Sequence, residues 1–456
     1  MTIMKALFGW LLKSGSVTSA PEPERTTITP TEAPDDYAIV ILVAAIEGKD
    51  GASISSRIAD GFASLPKVGI KRTEQTVMLS GEKSESDDLI VASEQGRDLL
   101  FQHGADVLVW GGVNEAESTV HIRFLSLNPA PEGRPGAIDG ADVLELPVPL
   151  SADMEDLVIA CAVAAGALNR TGSKTDAMTL VHDYTARVRR LVDSGLENLA
   201  PRQRLSALIN IANVVATDSR GEGGTLRLQD AVTVYRKAIG LVSSDTPGVQ
   251  QARLHSHLAV AFQSLAVDDR TAGSLENVVA SYQATIASLQ KTLHAREWGQ
   301  AHVGLGLAFY RLALKSDRAK LMKESVLAFR EALTVFSKEA SPGKWADVMN
   351  HIGVVMTAMG EEINNNGMLE QALKIFNETL VIRRRETAPI LWAQTNNNMG
   401  ASAFALAKRI KDKALMEQAA MAFESAAEVY RGTGQVQRVQ VIEKNIALVQ
   451  RRMEAL

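Results

Sequence analysis

Two short stretches bring Gly, Lys and Ser together, EGKDGAS at residues 47–53 and SGEKSES at 80–86. A phosphate-wrapping loop needs Gly, a four-residue gap and then Gly-Lys-Ser/Thr, so that successive backbone N–H groups face the phosphate. Neither stretch has that order. A metal site needs His and carboxylates at helical or hairpin spacing. His255 and His257 stand two apart on different faces of a helix, and His294, His302 and His351 belong to separate segments. Cys161 is the one cysteine, which rules out a disulfide within the chain and a Cys-based zinc site. It lies in the apolar run VIACAVAAGAL, the setting of a buried structural thiol. No Ser/His/Asp set stands by a strained Gly-rich turn. The sequence therefore predicts no catalytic residue, no metal and no cofactor, and a small-molecule ligand is not expected.

The remaining polar signal is a run of amides. TNNNMG contains Asn396, Asn397 and Asn398, and Asn350 with His351 occupies the matching ground 47 residues earlier. Asparagine is a mediocre helix former, so three in succession need compensation. Its side chain offers a donor and an acceptor to a peptide backbone. One reading places Asn350, His351, Asn396 and Asn397, with Arg383, Arg384 and Arg385, along a groove that binds another protein or a peptide segment. The other has the asparagines capping loops or bonding neighbouring helices, with the arginines as a solvated face.

The elements that hold these residues follow from one interval. Tyr235, Tyr282, Phe329, Phe376 and Phe423 recur every 47 residues. Small residues stand mostly four before each anchor and three after, with Leu or Met seven before, so all share one helix face. Such a period marks a helical solenoid. A first helix in each repeat carries an apolar residue followed by Gly or Ala: Ile211-Ala212, Leu258-Ala259, Leu305-Gly306, Ile352-Gly353, Met399-Gly400 and Ile446-Ala447. The small residue lets helices approach closely. Trp298, Trp345 and Trp392 precede three of these pairs by eight, and Pro247, Pro342 and Pro389 fall in turns. One period before Tyr235, Val181, Tyr184, Val188 and Leu191 predict a degenerate half-repeat, and Ile446 marks a final capping helix.

A Trp-led helix with an internal Gly, a second helix with Ala and Phe four apart, and Pro in the turn resemble the tetratricopeptide repeat. The matching residues are Leu305, Gly306, Phe329 and Pro342; Ile352, Gly353, Ala372, Phe376 and Pro389; and Met399, Gly400, Ala419, Phe423 and Ala426. The resemblance covers residues 178–456 and implies a right-handed solenoid that binds segments on a concave face lined by first helices. The period of 47 exceeds the family's 34; seven of the added residues fall between the Gly and the Ala.

Ahead of the repeats, strands and helices alternate. YAIVILVAAI reads as a strand covered on both faces. ASISSRIADGFASL and residues 89–103 read as helices, and KVGIKRTEQTVML as one or two short strands. ADVLVWGGV reads as a buried strand turning at Gly111-Gly112, followed by STVHIRFLSL, ADVLELPVPL and a helix over 154–168. This predicts an α/β domain over 36–170. ADVLVWGGV followed by VHIRF resembles the N-terminal domain of TolB over residues 37–125, although Val43-Ala44-Ala45-Ile46 stands where that family carries Leu-Pro-Phe. The resemblance implies a bacterial protein whose α/β domain serves interaction rather than catalysis.

Residues 1–35 comprise MTIMKALFGWLLKSGS and a Pro/Ser/Thr-rich linker, which cannot bury enough apolar surface to order. Lys5, Gly9 and Lys13 form a polar stripe on an otherwise apolar helix, so residues 3–13 predict partner docking or peripheral membrane contact. A net charge of −5 argues against nucleic acid. The expectation is an α/β N-terminal domain followed by an all-α, tetratricopeptide-like superhelical solenoid of about five repeats with capping helices over 176–456. Its role would be a non-enzymatic cytoplasmic adaptor or scaffold, membrane-associated if residues 3–13 hold it there. The alternative is an exported, envelope-associated accessory protein of a TolB-like or signalling system.

Overall fold

The β-branched run after Tyr37 forms strand β1 (Ile39–Ala44), buried at every residue, as a strand between two helical layers must be. Helix α1 (Gly51–Ala63) buries Ile54, Ile58 and Phe62. Strand β2 (Val68–Thr73) then pairs parallel with β1. Ser84 caps α2 (Glu85–His103) by accepting from the Asp87 N–H, which starts that helix four residues before the apolar periodicity does. Strand β3 (Val107–Asn114) runs parallel to β1, and β4 (Thr119–Ser126) and β5 (Leu144–Pro147) continue antiparallel. The sheet order is β2-β1-β3-β4-β5. Helix α2 covers one face with Leu99 and Leu100 against Leu42, Leu108 and Trp110. Helix α3 (Ala152–Gly166), capped by Ser151, covers the other, where Gly166 lies against Ile39 and Val107.

The structure is a computed structural model that describes residues 37–81, 84–131, 133–167, 174–194, 196–220, 223–266, 274–315 and 318–455. The predicted helix over 3–13 and the linker to residue 35 lie outside the described residues. Two expectations for the α/β part change. Strand β3 does not turn at Gly111-Gly112 but runs through them, pairing Gly111 with Ile122 and Gly112 with His121. The glycine is there for space, since a Cβ on Gly111 would lie 1.9 Å from the His121 carbonyl oxygen. KVGIKRTEQTVML gives a single strand, β2.

The chain forms two compact units that divide between His294 and Ala295. In the first, the sheet is followed by α4 (Lys174–Asp193), α5 (Pro201–Thr217), α6 (Gly224–Ile239), α7 (Gly248–Leu265) and α8 (Ser274–Ala287). Val181, Tyr184, Val188 and Leu191 of α4 are all buried. Helix α5 covers the outer edge of β5, which would otherwise expose unpaired backbone groups. Its Ser206 hydroxyl accepts from the Glu145 N–H at 2.9 Å, and Asn210 Nδ2 donates to the Val143 carbonyl at 3.2 Å. Gln203 reaches Thr119 on β4, and Thr217 reaches the Gly136 carbonyl.

The second unit holds α9 (Ala295–Ala313), α10 (Arg318–Leu333), α11 (Pro342–Glu362), α12 (Asn366–Ile382), α13 (Pro389–Ile410), α14 (Lys413–Gly432) and α15 (Val436–Glu454). The anchors Tyr235, Tyr282, Phe329, Phe376 and Phe423 are buried. Each of the three Phe rings nests on the glycine of its own repeat. A Cβ on Gly306 or Gly353 would lie 2.7 Å from Phe329 or Phe376, and one on Gly400 3.1 Å from Phe423. Pro342 and Pro389 occupy the first turns of α11 and α13, where no donor is needed. The residues beyond the usual repeat length lie in the helices themselves, 21 in α11 and 22 in α13. The fold class is thus an α/β domain followed by helical repeats.

Candidate functional site

A cleft of about 340 Å³ opens in the second unit among α12, α13 and α14. Leu373 and Asn377 come from α12, Asn396, Met399 and Ala403 from α13, and Gln418, Met421, Ala422 and Ser425 from α14. Its origin is visible one repeat earlier. At the positions equivalent to Ala403 and Ala422, 47 residues before, stand Met356 and Ile375, both buried. Two alanines in place of these larger side chains leave the space open. Met421 is 57% exposed at the mouth, an apolar side chain that contributes little to the core.

No residue lining the cleft carries a charge; apolar groups alternate with three carboxamides and a hydroxyl. Such a lining suits an apolar side chain flanked by peptide groups, because each amide can donate and accept. Charge appears on the α14 shoulder instead. Glu417 and Glu424 are exposed there and form no ion pair among the described residues, whereas Glu428 is paired with Arg385 at 2.7 Å.

Of the predicted partner-binding residues, Asn396 lines this cleft and donates Nδ2 to the Trp392 carbonyl at 3.0 Å. Asn350 and Asn397 are buried behind it. Asn350 Oδ1 accepts from Asn398 Nδ2 at 3.2 Å and from the Thr395 hydroxyl at 3.3 Å, joining α11 to α13. Asn397 Nδ2 donates to Asn398 Oδ1. Asn350 Nδ2 and Asn397 Oδ1 are left without a partner. His351 is 8% exposed and stacks on Phe329, with ring centroids 5.5 Å apart. Burial lowers its pKa to about 4; Asp347 pulls upward and Arg383 adds to the lowering.

The three arginines separate. Arg383, only 3% exposed, reaches Thr395 at 2.9 Å and Asp347 at 2.6 Å, and so ties the end of α12 to both first helices. Arg384 is exposed, with Nε 3.4 Å from the Val381 carbonyl. Arg385 lies over Trp392 at 5.5 Å. The same arrangement occurs one repeat earlier, where Lys338 lies over Trp345 at 5.1 Å. The tryptophans, expected in the core, are partly exposed and carry cations on their faces.

A second polar cluster, absent from the sequence prediction, lies in the first unit. Asp142, in the loop before β5, is bonded by Arg253 and His257 of α7. Burial alone would raise its carboxyl, but the two cations and their hydrogen bonds outweigh it and hold the group below the usual carboxylate range. The thiol of Cys161, as expected, is buried, and burial raises its pKa well above normal. Among the described residues there is no group of three or more metal-ligating side chains. No helix among them is long and apolar enough to cross a membrane.

The fold and cleft define a helical-repeat protein with an N-terminal α/β domain. No family model matches the chain, and no curated protein matches it. Its likenesses are to solved structures. BtubC (BKLC) from P. vanneervenii is 14% identical with a TM-score of 0.34, over 61% of this chain and 91% of that one. Aspartyl phosphate phosphatase F from Bacillus subtilis is 11% identical with a TM-score of 0.35, over 66% and 72%. The S. pombe nuclear import adaptor Nro1 is 12% identical with a TM-score of 0.36, over 64% and 100%. Likeness this slight carries nothing about what the present chain binds.

Proposed function

We propose that the protein is a non-enzymatic scaffold that binds a protein partner, with the cleft between α12 and α14 receiving apolar side chains of the bound segment. The observation that carries this is the cleft's composition: an uncharged, amide-bearing lining with Met421 exposed at its mouth. Exposed apolar surface next to oriented amides has no use in stability and suits recognition of a peptide. Asn396 contributes directly. Asn350 and Asn397 stand behind it with an unused donor and acceptor, and Arg383 and His351 fix their helices. In this reading the repeats over 176–456 are tetratricopeptide-like units lengthened to 47 residues. The 36–170 domain is a TolB-like interaction module, and the protein works in the cytoplasm of a bacterium.

The test is to close the cleft with the residues of the preceding repeat, Ala403→Met and Ala422→Ile, which that repeat already packs at the same positions. A photoreactive residue at Met421 should crosslink partner peptide in the parent and lose most of that yield in the closed variant. The same residue at Ile363, also exposed, serves as control. Equal yields from parent and closed variant would remove the cleft from the binding surface.

A further inference from the structure

We infer that, when no partner is bound, the cleft is occupied by the protein's own residues 3–13; this rests on the cleft being the interaction site proposed above. Three features of the chain converge on this occupant. The first is chemical fit. The cleft is neutral and apolar at its centre, with the unpaired carboxylates Glu417 and Glu424 on its α14 shoulder. In MTIMKALFGWLLK, Phe8 and Leu12 stand beside the lysine stripe when the segment is read as a helix. Those two side chains would enter the cleft while Lys5 and Lys13 meet the shoulder.

The second is spacing. Seven residues of α14 separate Glu417 from Glu424, a rise of about 10 Å, and eight residues of helix separate Lys5 from Lys13, a rise of about 12 Å. Gly9, between the two lysines, removes the side chain that would hold the segment off the shoulder. The third is tethering. Residues 14–35 form a Pro/Ser/Thr-rich connection that reaches up to about 75 Å when extended. A tether of that length gives an effective concentration on the order of millimolar, so a cleft of modest affinity is filled by the attached segment first. A partner must then displace it, and the N-terminus sets a threshold for binding.

The experiment uses the full chain with Cys161→Ala, Phe8→Cys and Met421→Cys under mild oxidation. The expected result is a disulfide within a single chain. Glu417→Lys with Glu424→Lys should lower its yield roughly fivefold, the effect of two exposed ion pairs. Adding Lys5→Glu and Lys13→Glu to that chain should restore it. Equal bridging when the second cysteine replaces Ile363, bridging only between two chains, or no rescue by the charge swap would each overturn the inference. A different result separates the two proposals: partner peptide crosslinks at Met421 in a manner that depends on the open cleft, yet the thiols introduced by Phe8→Cys and Met421→Cys never bridge. That outcome would leave the interaction role intact and remove self-occupancy alone.

Discussion

His257 Nε2 lies 2.8 Å from Asp142 Oδ1, and because a carboxylate can only accept, the ring must carry its proton on that nitrogen. The contact joins α7, the first helix of the second repeat, to the loop that precedes the edge strand β5. Arg253 completes it by placing Nε and Nη2 on the two oxygens of the same carboxylate, at 3.1 and 3.0 Å. The imidazole in turn lies parallel to the Tyr235 ring, with an interplanar angle of 3°, and the Tyr235 hydroxyl donates to Asn213 Oδ1 at 2.6 Å. A repeat anchor, two first helices and the α/β domain thus share one buried polar cluster. This explains why the sheet and the first two repeats belong to one compact unit.

Asp142→Asn should therefore destabilise the whole first unit, by about 3 kcal/mol, because it leaves a largely buried guanidinium and imidazole without their counter-charge. His257→Asn should cost less, since asparagine is what the chain itself uses at the equivalent residues Asn210 and Asn398. Denaturant unfolding followed on Trp110 separates the two outcomes. Equal midpoints for parent and Asp142→Asn would show that the cluster contributes nothing.

The repeats make a separate packing prediction. Phe376→Ala should cost about 3–5 kcal/mol, as buried Phe truncations do. Gly353→Ala forces a methyl to 2.7 Å from that ring and should cost about 1–3 kcal/mol by overpacking. In the double variant Gly353→Ala, Phe376→Leu the glycine penalty should largely vanish, because the ring it opposed is gone. Additive losses would mean that ring and glycine do not in fact oppose each other. The first two repeats support the pairing: there the seat is Ala212 or Ala259 and the anchor is tyrosine.

The same repeat interval shows what the sequence could disclose and what it could not. Aromatic anchors and close-packing pairs were readable because each repeat must solve one packing problem with the same residues. The polar positions were harder. Asn350 and Asn397 drew attention as an amide pair 47 apart, but the next position along holds Asn210, His257, His351, Asn398 and Asn445 at the same interval or its double. The first four of these turn to an earlier element: Val143, Asp142, Phe329 and Asn350 respectively. That column was visible as a repeat, yet its partners come from sequence-distant loops, which periodicity does not reveal. The cleft was hidden for a related reason. It arises from two alanines where the preceding repeat has Met356 and Ile375, a difference between repeats rather than a motif in one.

Arg383 offers a test of the tie between first helices. Arg383→Ala removes bonds to Thr395 and Asp347 together and leaves a carboxylate that is mostly shielded, so a loss of about 3 kcal/mol is expected. Arg383→Lys should recover only part of it, because a single ammonium cannot bridge two acceptors with the geometry of a planar fork. Thermal unfolding of the three chains ranks them, and a lysine variant as stable as the parent would show that charge alone suffices.

His351 supplies the pH dependence. Its folded pKa of about 4 lies below the ordinary 6.5, chiefly because burial disfavours the imidazolium. Between these two values the unfolded chain binds a proton that the folded chain does not, so stability rises with pH across the window. The full contribution is present above pH 6.5 and is lost as pH falls toward 4, amounting to roughly 3 kcal/mol at 1.36 kcal/mol for each tenfold change. His351→Asn, the residue at the next position of the column, should flatten the stability profile between pH 6.5 and 4 while leaving the more acidic titration of Asp142 in place. Arg383→Ala acts on the same profile in a predictable direction. Removing a cation that opposes protonation should raise the folded pKa of His351 and narrow the window from its acid end. Urea midpoints measured at half-unit intervals would show this as a shallower fall below pH 6.5. A profile in Arg383→Ala as steep as the parent's would mean that burial acts on the ring without help from the guanidinium.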